Sequence, residues 1–245
     1  MSSENGADCF HRSKEFLECI AACIRGPVAL AHSYQAEDTV ALDILIKVRI
    51  KELEVFTLDT NRLFPELNVH HKVLEDFFGI TIKRCHPDTD EERELESAQG
   101  EFGMRDSLEA RRFCCRVRKV KPLANFLRGK SAWFTGLRAS QSVTRADMRI
   151  IEYDKQFKLI KLNPLVDWSE DDVNRYIKEN GLPVNPLYAK GFRSIGCAPC
   201  TRTVKAGEDI RAGRWWWENP ENRECGCMVK NRREREQDVS TIKLG

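Results

Sequence analysis

Ten cysteines are the residues of this 245-residue chain best suited to chemistry, and their spacing divides them into groups. Cys197 and Cys200 form a C-x-x-C motif, a spacing that lets two thiolates reach one metal centre. Gly196 and Pro199 favour the tight backbone turn that this geometry needs. The motif therefore indicates half of a metal site.

A second pair, Cys114 and Cys115, is adjacent in the chain. Neighbouring residues on a helix diverge by about 100°, so their thiolates rarely converge on one small ion. An iron–sulfur cluster is several ångströms across and binds adjacent thiolates at different iron atoms, and cysteines usually hold all of its corners. Since basic residues surround both pairs, the pattern favours a cluster, with zinc as the alternative.

A third pair, Cys225 and Cys227, lies near the end of the sequence. The first two pairs already complete a four-cysteine site, which weakens a metal-ligand role for the third. A nucleophilic thiolate needs a lowered pKa, which nearby cations provide, and Arg211, Arg214 and Arg223 precede this pair. The residues slightly favour a reactive thiol over a ligand pair or two incidental cysteines.

The remaining cysteines lack such pairing: they are Cys9, Cys19, Cys23 and Cys85. Cys19 and Cys23 are four residues apart on a predicted helix and could in principle be ligands. Because an unpaired cysteine behaves as a small hydrophobic residue, we predict that all of these side chains are buried.

Apolar runs alternate with helical patterns and predict the elements that must position these thiols. Buried strands are predicted at residues 27–33, 52–60, 80–87 and 131–142. Helices are predicted at residues 10–24, 34–50 and 63–79, within 91–129, and from the cap Ser169 to Lys178, before Gly181 and Pro183. This alternation predicts an α/β fold, with a mostly parallel sheet that helices cover on both faces.

Ligands of such sheets lie beyond the carboxyl ends of the strands. Those ends carry the polar stretches HSYQAED (32–38), LDTNR (58–62), CHPDTD (85–90) and TGLRASQS (135–142). The sequence therefore predicts a ligand site formed by these loops.

Charge and hydropathy limit the possible partners. With 40 basic and 38 acidic residues, the net charge of +2 gives no argument for a stable nucleic-acid complex. Basic clusters at residues 111–121 and 193–214 suit a small anionic ligand better than a long polyanion. We find no signal peptide and no apolar run near the roughly 20 residues of a membrane helix, so we expect a cytoplasmic protein. The charged residues 229–245 are predicted to be a solvated helix or tail.

Several motifs stand in a specific order: HSYQAED, LDTNR, FCCRVRKVKPL, WFTGLR, NPLVDWS, SIGCAPCTR, GRWWWE and ECG. In this order they resemble the assimilatory adenylyl-sulfate reductases, within the phosphoadenylyl-sulfate/adenylyl-sulfate reductase family, from about residue 28 to residue 226. The resemblance implies a Rossmann-like fold of the adenine nucleotide alpha-hydrolase, or PP-loop, type. We expect one α/β domain over residues 1–222, followed by a mobile C-terminal segment, 223–245, that carries the nucleophile.

The resemblance also implies a reaction and a cofactor. A 4Fe–4S cluster would be held by Cys114, Cys115, Cys197 and Cys200. Cys225 would attack the sulfur of adenosine 5′-phosphosulfate (APS), so that AMP leaves and an S-sulfocysteine remains. A thioredoxin- or glutaredoxin-like dithiol would then release sulfite. The cluster is expected to tune the electrostatics near Lys119 and to hold two chain segments together, without passing electrons to the substrate.

Substrate-binding residues follow from the same resemblance. Lys119, Arg211 and Arg214 match family positions that contact the phosphosulfate, and Arg138 is a further candidate. The nucleotide is expected beside strand-end residues, namely Ser33, Glu37, Asp38, Asp59 and Thr60. Simpler roles remain open: Asp38 as a helix cap, Asp59 as a turn residue, and residues 215–217 as core tryptophans, the last of which we favour.

One motif departs from the family pattern. The family usually has E-C-G-x-H, but here Cys227 and Met228 fill the last two positions. The missing histidine would have offered a hydrogen bond or a charge beside Cys225 or the substrate. Because a C-x-C disulfide ring is strained, a spectator role for Cys227 is favoured over that of a resolving thiol.

Other functions stay open on the sequence alone. Reduction of 3′-phosphoadenosine 5′-phosphosulfate (PAPS) follows the same mechanism, but relatives restricted to it generally lack the two cysteine pairs; dual use is a further alternative. An iron–sulfur tRNA thiolase would show an S-G-G-x-D-S loop, which SYQAED is not. A non-catalytic zinc or cluster-binding module is the third alternative, and a homo-oligomer is a possible assembly.

Overall fold

Strands alternate with helices through the part of the chain that the computed structural model describes, residues 4–225 and 227. The strands are β1 (Val28–Ala31), β2 (Leu53–Leu58), β3 (Ile82–Cys85), β4 (Ala132–Phe134), β5 (Ile151–Asp154) and β6 (Leu159–Leu162). The α-helices are α1 (Glu4–Cys23), α2 (Ala36–Lys47), α3 (Glu66–Phe78), α4 (Thr89–Gln99), α5 (Leu108–Cys115), α6 (Lys121–Leu127) and α7 (Glu170–Asn180).

All these strands belong to one sheet, in the order β3-β2-β1-β4-β6-β5. Each neighbouring pair is parallel except β5 and β6, which form an antiparallel hairpin at one edge. The predicted, mostly parallel α/β fold is therefore confirmed. The chain runs outward from β1 to β3 and returns on the other side of β1 as β4. The loops after β1 and β4 consequently meet at the topological switch point, where ligands of such sheets bind.

Apolar residues of the central strands alternate between the two faces of the sheet. Val28 and Leu30 belong to the larger apolar cluster, which includes α2, whereas Ala29 belongs to a smaller one. The smaller cluster also contains Leu123 and Leu127 of α6. Helices thus cover both faces, as a parallel sheet requires.

The predicted strand at residues 131–142 is wrong over most of its length. Only β4 is extended in the sheet, and the chain leaves the ladder after it. The Thr135 hydroxyl donates to Asn163 Oδ1 at 2.6 Å, and the Gly136 amide donates to Asp38 Oδ1 at 3.2 Å. These side-chain acceptors replace a strand neighbour, so the segment becomes a loop at the switch point.

The β5–β6 hairpin was not predicted from the sequence. Its turn contains Lys158 at a φ of 57°, a left-handed conformation for which Gly or Asn is the usual signal. Strand β5 also exposes Ile151 and Tyr153, so its apolar residues do not mark a buried face. Both ordinary signals of a hairpin are therefore missing.

A nearly continuous helical segment carries the adjacent cysteine pair. Helix α5 ends at Cys115, a π-helical turn covers Arg116–Val120, and α6 follows at once. Helical structure within residues 91–129 is thus confirmed. Wide turns of this kind are rare and are frequent at functional sites. Here the turn follows the cysteines and contains Lys119.

Two further helix predictions have different outcomes. Helix α7 begins as expected at the Ser169 cap and ends before Gly181, which adopts the left-handed conformation. In α1, Cys9, Ser13 and Leu17 lie on the buried face at four-residue spacing. The cysteines at 19 and 23 fall on the opposite face and are exposed, so their predicted burial is wrong, while Cys85 is half-buried.

The C-terminal segment is described only in part. Residues 223–225 and 227 lie against the body of the protein, whereas Met228 and the charged residues 229–245 lie outside the described residues. The boundary between 1–222 and 223–245 stays a prediction. Within the part of the chain described, no helix is both long and apolar enough to cross a membrane.

Candidate active site

The two switch-point loops are tied together by the carboxylate of Asp38. One of its oxygens accepts hydrogen bonds from the backbone amide and hydroxyl of Ser33, at 2.7 and 2.6 Å. The other accepts from the Gly136 amide, where a Cβ atom would lie 2.6 Å from that oxygen. Burial raises the pKa of Asp38 to about 6, although the Ser33 hydrogen bonds act in the opposite direction. The residue braces the loops, and Gln35 holds the helix-cap position.

A buried ion pair makes the second connection between these loops. Arg138 donates to Glu37 Oε1 from Nε and Nη2, at 3.1 and 2.9 Å. The Gln141 amide donates to the same oxygen at 2.9 Å. Glu37 and Arg138 therefore lie at the same site, as predicted. They neutralise each other, so neither charge is left unpaired for a ligand.

The residues after β2 have two different surroundings. Asp59 accepts hydrogen bonds from the Asn61 amide at 3.1 Å and from the Arg84 guanidinium at 3.0 Å. Thr60 is fully buried, and its Oγ1 lies 3.2 Å from Cys197 Sγ. Asp59 thus shapes a turn at the sheet edge, while Thr60 connects that edge to the C-x-x-C motif.

The two cysteine pairs meet in one cavity, although 82 residues separate Cys115 from Cys197 in the sequence. Its walls contain the thiols of Cys114, Cys115, Cys197 and Cys200, together with Arg62, Met104, Arg111, Arg118, Lys119, Pro199 and Trp215. The Cys197 carbonyl accepts from the Thr201 hydroxyl at 2.9 Å and from the Cys200 amide at 3.0 Å, so the motif is a tight turn. Both predicted pairs therefore face the same space.

The thiols line this cavity without converging on one point. Among residues 4–225 and 227, no three side chains of His, Cys, Asp or Glu are arranged to hold a single metal ion. The adjacent residues Cys114 and Cys115 diverge on their helix, as expected.

Cationic side chains of the cavity wall differ in their pairing. Arg118 donates to Glu92 and to Glu96, and Arg62 also pairs with Glu96. Lys119 makes no ion pair with a carboxylate of the described residues. Burial would lower its pKa, but the thiolates of Cys197 and Cys225 outweigh that cost and raise it. Lys119 therefore keeps its positive charge beside the sulfur atoms of Cys197 and Cys225.

Arg214, like Lys119, has no carboxylate partner among the described residues. Its Nη1 donates to the Ile195 carbonyl at 3.0 Å, whereas its buried Nε has no hydrogen-bond partner. The guanidinium lies over the Trp215 ring, 4.5 Å from its centre, and the guanidinium of Arg111 also lies over this ring, at 4.6 Å. A Cβ atom on Gly196 would lie 2.3 Å from Arg214 Nη2, so this approach requires glycine. Trp215 is buried, as predicted, in the wall of the cysteine cavity, but Trp216 and Trp217 are only partly buried, so the core prediction is wrong for them.

Cys225 lies between the cysteine cavity and the smaller apolar cluster. Hydrogen bonds from the Cys115 and Cys227 thiols, with Lys119 nearby, hold its pKa well below the usual range, although burial opposes this. The same contacts raise the pKa of Cys115 and of Cys227. The predicted nucleophile therefore shares one centre with the four predicted ligands and Lys119.

The carboxylate of Glu224, the residue before this thiol, accepts hydrogen bonds from four side chains. We call this set of donors the Glu224 cradle, and the sequence did not predict it. Arg145 donates to both carboxylate oxygens at 3.0 Å, and Arg211 donates to Oε2 at 3.2 Å. The hydroxyls of Ser142 and Thr144 donate to Oε1 at 3.2 and 2.9 Å. Burial alone would raise the pKa of Glu224, but the two guanidinium groups hold it below its ordinary value.

Arg111 binds the segment that contains Glu224, residues 218–224, at three further positions. It donates to Glu218 Oε1 at 2.5 Å and to the carbonyls of Asn222 and Glu224 at 2.9 and 3.1 Å. Arg211 adds a bond to the Arg223 carbonyl at 2.6 Å, and burial lowers its own pKa to about 9. In the sequence, Arg111 and Arg211 could be recognised because they lie in basic clusters. No sequence pattern marks Glu224 as their partner.

Three comparisons with known proteins agree with this geometry. Residues 27–203 match the phosphoadenosine phosphosulfate reductase domain family. The chain is 49% identical over 199 residues to an adenosine 5′-phosphosulfate reductase of Allochromatium vinosum, covering 81% of this chain and 77% of the relative. It is 50% identical over 172 residues to the enzyme of that name from Rhizobium tropici, covering 70% and 96%.

Solved structures give the same fold. A phosphoadenylyl-sulfate reductase from Candida auris, crystallised with phosphate, matches with a TM-score of 0.63 and 25% identity, covering 83% of this chain and 98% of that one. Yeast FAD synthetase matches with a TM-score of 0.61 at 12% identity, covering 83% and 69%, and that likeness concerns the fold alone. The chain belongs to the phosphoadenosine phosphosulfate reductase domain family.

Proposed function

We propose that this protein reduces adenosine 5′-phosphosulfate to sulfite and AMP, at the expense of a dithiol, in the assimilation of sulfate. The observation that carries the proposal is the position of Cys225, whose thiol lies with Lys119 at the rim of the four-cysteine cavity. The names of the relatives from Allochromatium vinosum and Rhizobium tropici support the substrate.

The phosphosulfate is a compact anion and needs cations at short range. Lys119 and Arg214 are cations without carboxylate partners among the described residues, and Arg214 has an unsatisfied buried Nε. We assign both to the phosphosulfate oxygens, where charge-assisted hydrogen bonds are strong. Arg211 is shared with Glu224, so it approaches the substrate only as part of the Glu224 cradle.

The nucleotide end would lie at the switch point between β1 and β4. Ser33 and Thr60 line this edge, and Asp59 shapes the β2 loop beside it. Glu37, Asp38 and Arg138 hold the two loops in place through one another. We therefore assign these three residues to positioning of the nucleotide loops.

The chemical step would be nucleophilic displacement at sulfur. The Cys225 thiolate attacks the sulfur of the substrate, the sulfur–oxygen bond breaks, and AMP leaves with the bonding electrons. The product is an S-sulfocysteine at Cys225. A protein dithiol of the thioredoxin or glutaredoxin type supplies the two electrons that release sulfite and regenerate the thiol. A step that consumes a reduced dithiol fits the reducing cytoplasm.

The four-cysteine cavity fits a 4Fe–4S cluster by its donor set. Four thiols face one space, and Lys119 in its wall, which has no carboxylate partner among the described residues, would offset part of the negative charge of a thiolate-bound cluster. When bound, the cluster would add charge beside Lys119 and link the 114–115 helix to the 197–200 turn. Cys115 would then have no proton to donate to Cys225, which leaves Cys227 and Lys119 as its partners.

Steady-state kinetics with APS and with PAPS test this assignment. With a thioredoxin-type donor, we expect sulfite and AMP from APS, and a kcat/KM for APS that exceeds the value for PAPS. Cys225→Ser should abolish turnover with either nucleotide. A higher kcat/KM for PAPS, the substrate in the name of the Candida auris structure, would replace the substrate assignment; unchanged turnover in Cys225→Ser would overturn the mechanism.

A further inference from the structure

A second thiol lies against the nucleophile. Cys227 is buried, with 7% of its surface exposed, and it lies two residues after the partly buried Cys225. Both side chains pack on the smaller apolar cluster, beside Phe56 and Trp133 of the sheet. The side chain of Cys227 is therefore directed into the protein, into the cluster that Cys225 also contacts.

We propose that Cys227 is the resolving thiol of the reaction, an inference that rests on the proposed function. After AMP has left, the Cys227 thiol attacks Cys225 Sγ, and its proton passes to the departing sulfite, which leaves as hydrogen sulfite. A Cys225–Cys227 disulfide forms, the bond from Cys225 Sγ to the sulfonate breaks, and sulfite leaves with that electron pair. The two thiols are thereby oxidised, and the transferred sulfur is reduced by two electrons.

An external dithiol then meets a disulfide in place of the S-sulfocysteine. Its two thiols become a disulfide, and Cys225 and Cys227 return to the reduced state. The electron balance is that of the overall reaction, because one dithiol is consumed for each sulfite. Only the order changes, since sulfite leaves before the protein reductant arrives.

The spacing of the two residues permits this bond and makes it easy to reduce. Cα atoms two residues apart are separated by at most about 7 Å, and disulfides need about 4.4 to 6.8 Å, so a modest bend is enough. A strained disulfide has a more oxidising potential and exchanges readily. Strain, which argues against a structural C-x-C bond, therefore suits a transient one.

Proximity favours Cys227 over an external thiol. A group held against its target acts at an effective concentration far above that of a dissolved protein. Both thiols lie in one apolar cluster, so Cys227 needs no diffusional encounter to reach Cys225. Cys85 packs on the same apolar cluster from β3, and so provides a matched control thiol.

Single-turnover analysis of the reduced holoenzyme separates the two routes. The enzyme, freed of dithiol, is mixed with APS, and AMP, sulfite and peptide masses are measured over time. For the wild type and for Cys85→Ser, we expect sulfite in the same amount as AMP, together with the Cys225–Cys227 disulfide. Cys227→Ser and Cys227→Ala should release AMP, retain a sulfonate on Cys225 and form sulfite at least roughly 100-fold more slowly until dithiol is added.

The other outcomes are equally distinct. Wild-type enzyme that retains the sulfonate until dithiol is added would make Cys227 a spectator, while the proposed function would stand. Dithiol-free sulfite release that is equal in wild type and Cys227→Ser would also overturn the role of Cys227. If no variant and no wild-type sample releases AMP, the proposed function itself fails, and the resolving step fails with it.

Discussion

Cationic residues around the cysteine cavity differ in what they can still bind. Arg118 and Arg138 are satisfied by carboxylates, so their charge is largely neutralised. Lys119 and Arg214 have thiols, carbonyls, a hydroxyl and an aromatic ring as neighbours among the described contacts, and no carboxylate. The positive charges of Lys119 and Arg214 are therefore available to bind an anionic substrate or to stabilise nearby thiolates.

Replacing Lys119 should lower turnover without removing the cluster. In Lys119→Gln we expect kcat/KM for APS to fall roughly 10- to 100-fold, because a charge-assisted hydrogen bond to the substrate is lost. The visible absorbance of the cluster should persist, since Lys119 is not a ligand. Kinetics and absorbance spectra of the same preparation check both statements.

Lys121→Gln is the matched control, since Lys121 lies two residues further on and pairs with Glu91 at 2.5 Å on the surface. Its kcat/KM should stay within about twofold of the wild type, because a surface ion pair contributes little. Equal losses in the two variants, or loss of cluster absorbance in Lys119→Gln alone, would contradict the assignment.

Residue types predicted which cysteines come together better than they predicted the partners of each charge. Cysteine spacing alone indicated a four-thiol site, and the structure places all four in one cavity. By contrast, Glu224 lies 79 residues from Arg145 in the sequence, and no local pattern joins them. Long-range charge pairing of this kind depends on the completed fold.

At the scale of elements, Glu224 fixes the C-terminal segment that contains Cys225, the proposed nucleophile, against the body of the protein. Glu224 binds two guanidinium groups and two hydroxyls, and Arg111 binds carbonyls on either side of Arg223. A buried carboxylate with this many donors fixes the backbone next to it. The position of Cys225 is therefore set by the residue before it.

Glu224→Gln should loosen this segment alone. The amide cannot neutralise Arg145 and Arg211, so amide hydrogen exchange in residues 218–225 should accelerate by roughly tenfold or more. Peptides from β1 and β2 should exchange as in the wild type. Hydrogen-exchange mass spectrometry of both regions provides the measurement.

The exposed Glu221 offers the comparison within the same segment. In Glu221→Gln, exchange in residues 218–225 should match that of the wild type. Acceleration in both variants would show that the carboxylate of Glu224 has no special role, and acceleration throughout the sheet would indicate general destabilisation.

Elements with strong periodic patterns were predicted well, and those built from long-range contacts were not. Strands β1 to β3 and helices α2, α3 and α7 follow local apolar patterns and turn signals. The loop after β4 looks like a strand in sequence because its anchors, Asp38 and Asn163, come from elsewhere in the chain. The hairpin was missed because Lys158, and not a glycine, takes the left-handed turn position.

For the whole molecule, a buried histidine couples folding to pH. Burial, with repulsion from His70 and His71, lowers the pKa of His32 to about 3. The unfolded chain binds this proton near pH 6.5 and the folded chain does not, so the free energy of unfolding falls as the pH drops below about 6.5. One such group contributes about 1.4 kcal/mol per pH unit.

Comparison with His32→Gln isolates this effect. Asp38, whose pKa is raised to about 6, acts in the opposite direction below pH 6, and the subtraction removes its contribution. Between pH 6 and pH 4, the thermal midpoint of the wild type should fall more steeply than that of the variant. The exposed His11→Gln variant should follow the wild type. Parallel profiles for wild type and His32→Gln would contradict the prediction.

The topology of the molecule explains why distant motifs form one site. The strand order places the loops after β1 and β4 together, and the C-terminal segment brings Cys225 to the cysteine cavity. The sheet thus holds the loops proposed to bind the nucleotide at one edge, and the segments 114–119, 197–200 and 214–225 surround the proposed nucleophile. The order of the motifs in the sequence predicts which segments belong to each of these two parts. The contacts between the segments could be seen only in the folded structure.

Location of the transferred sulfonate tests the central claim most directly. The Cys227→Ser holoenzyme is chosen because its adduct cannot be resolved within the chain. Mixed with APS in the absence of dithiol and mapped by peptide mass spectrometry, it should carry one sulfonate, on Cys225, in the same amount as the AMP released. AMP release without an adduct, or a sulfonate on any other cysteine, would contradict the account.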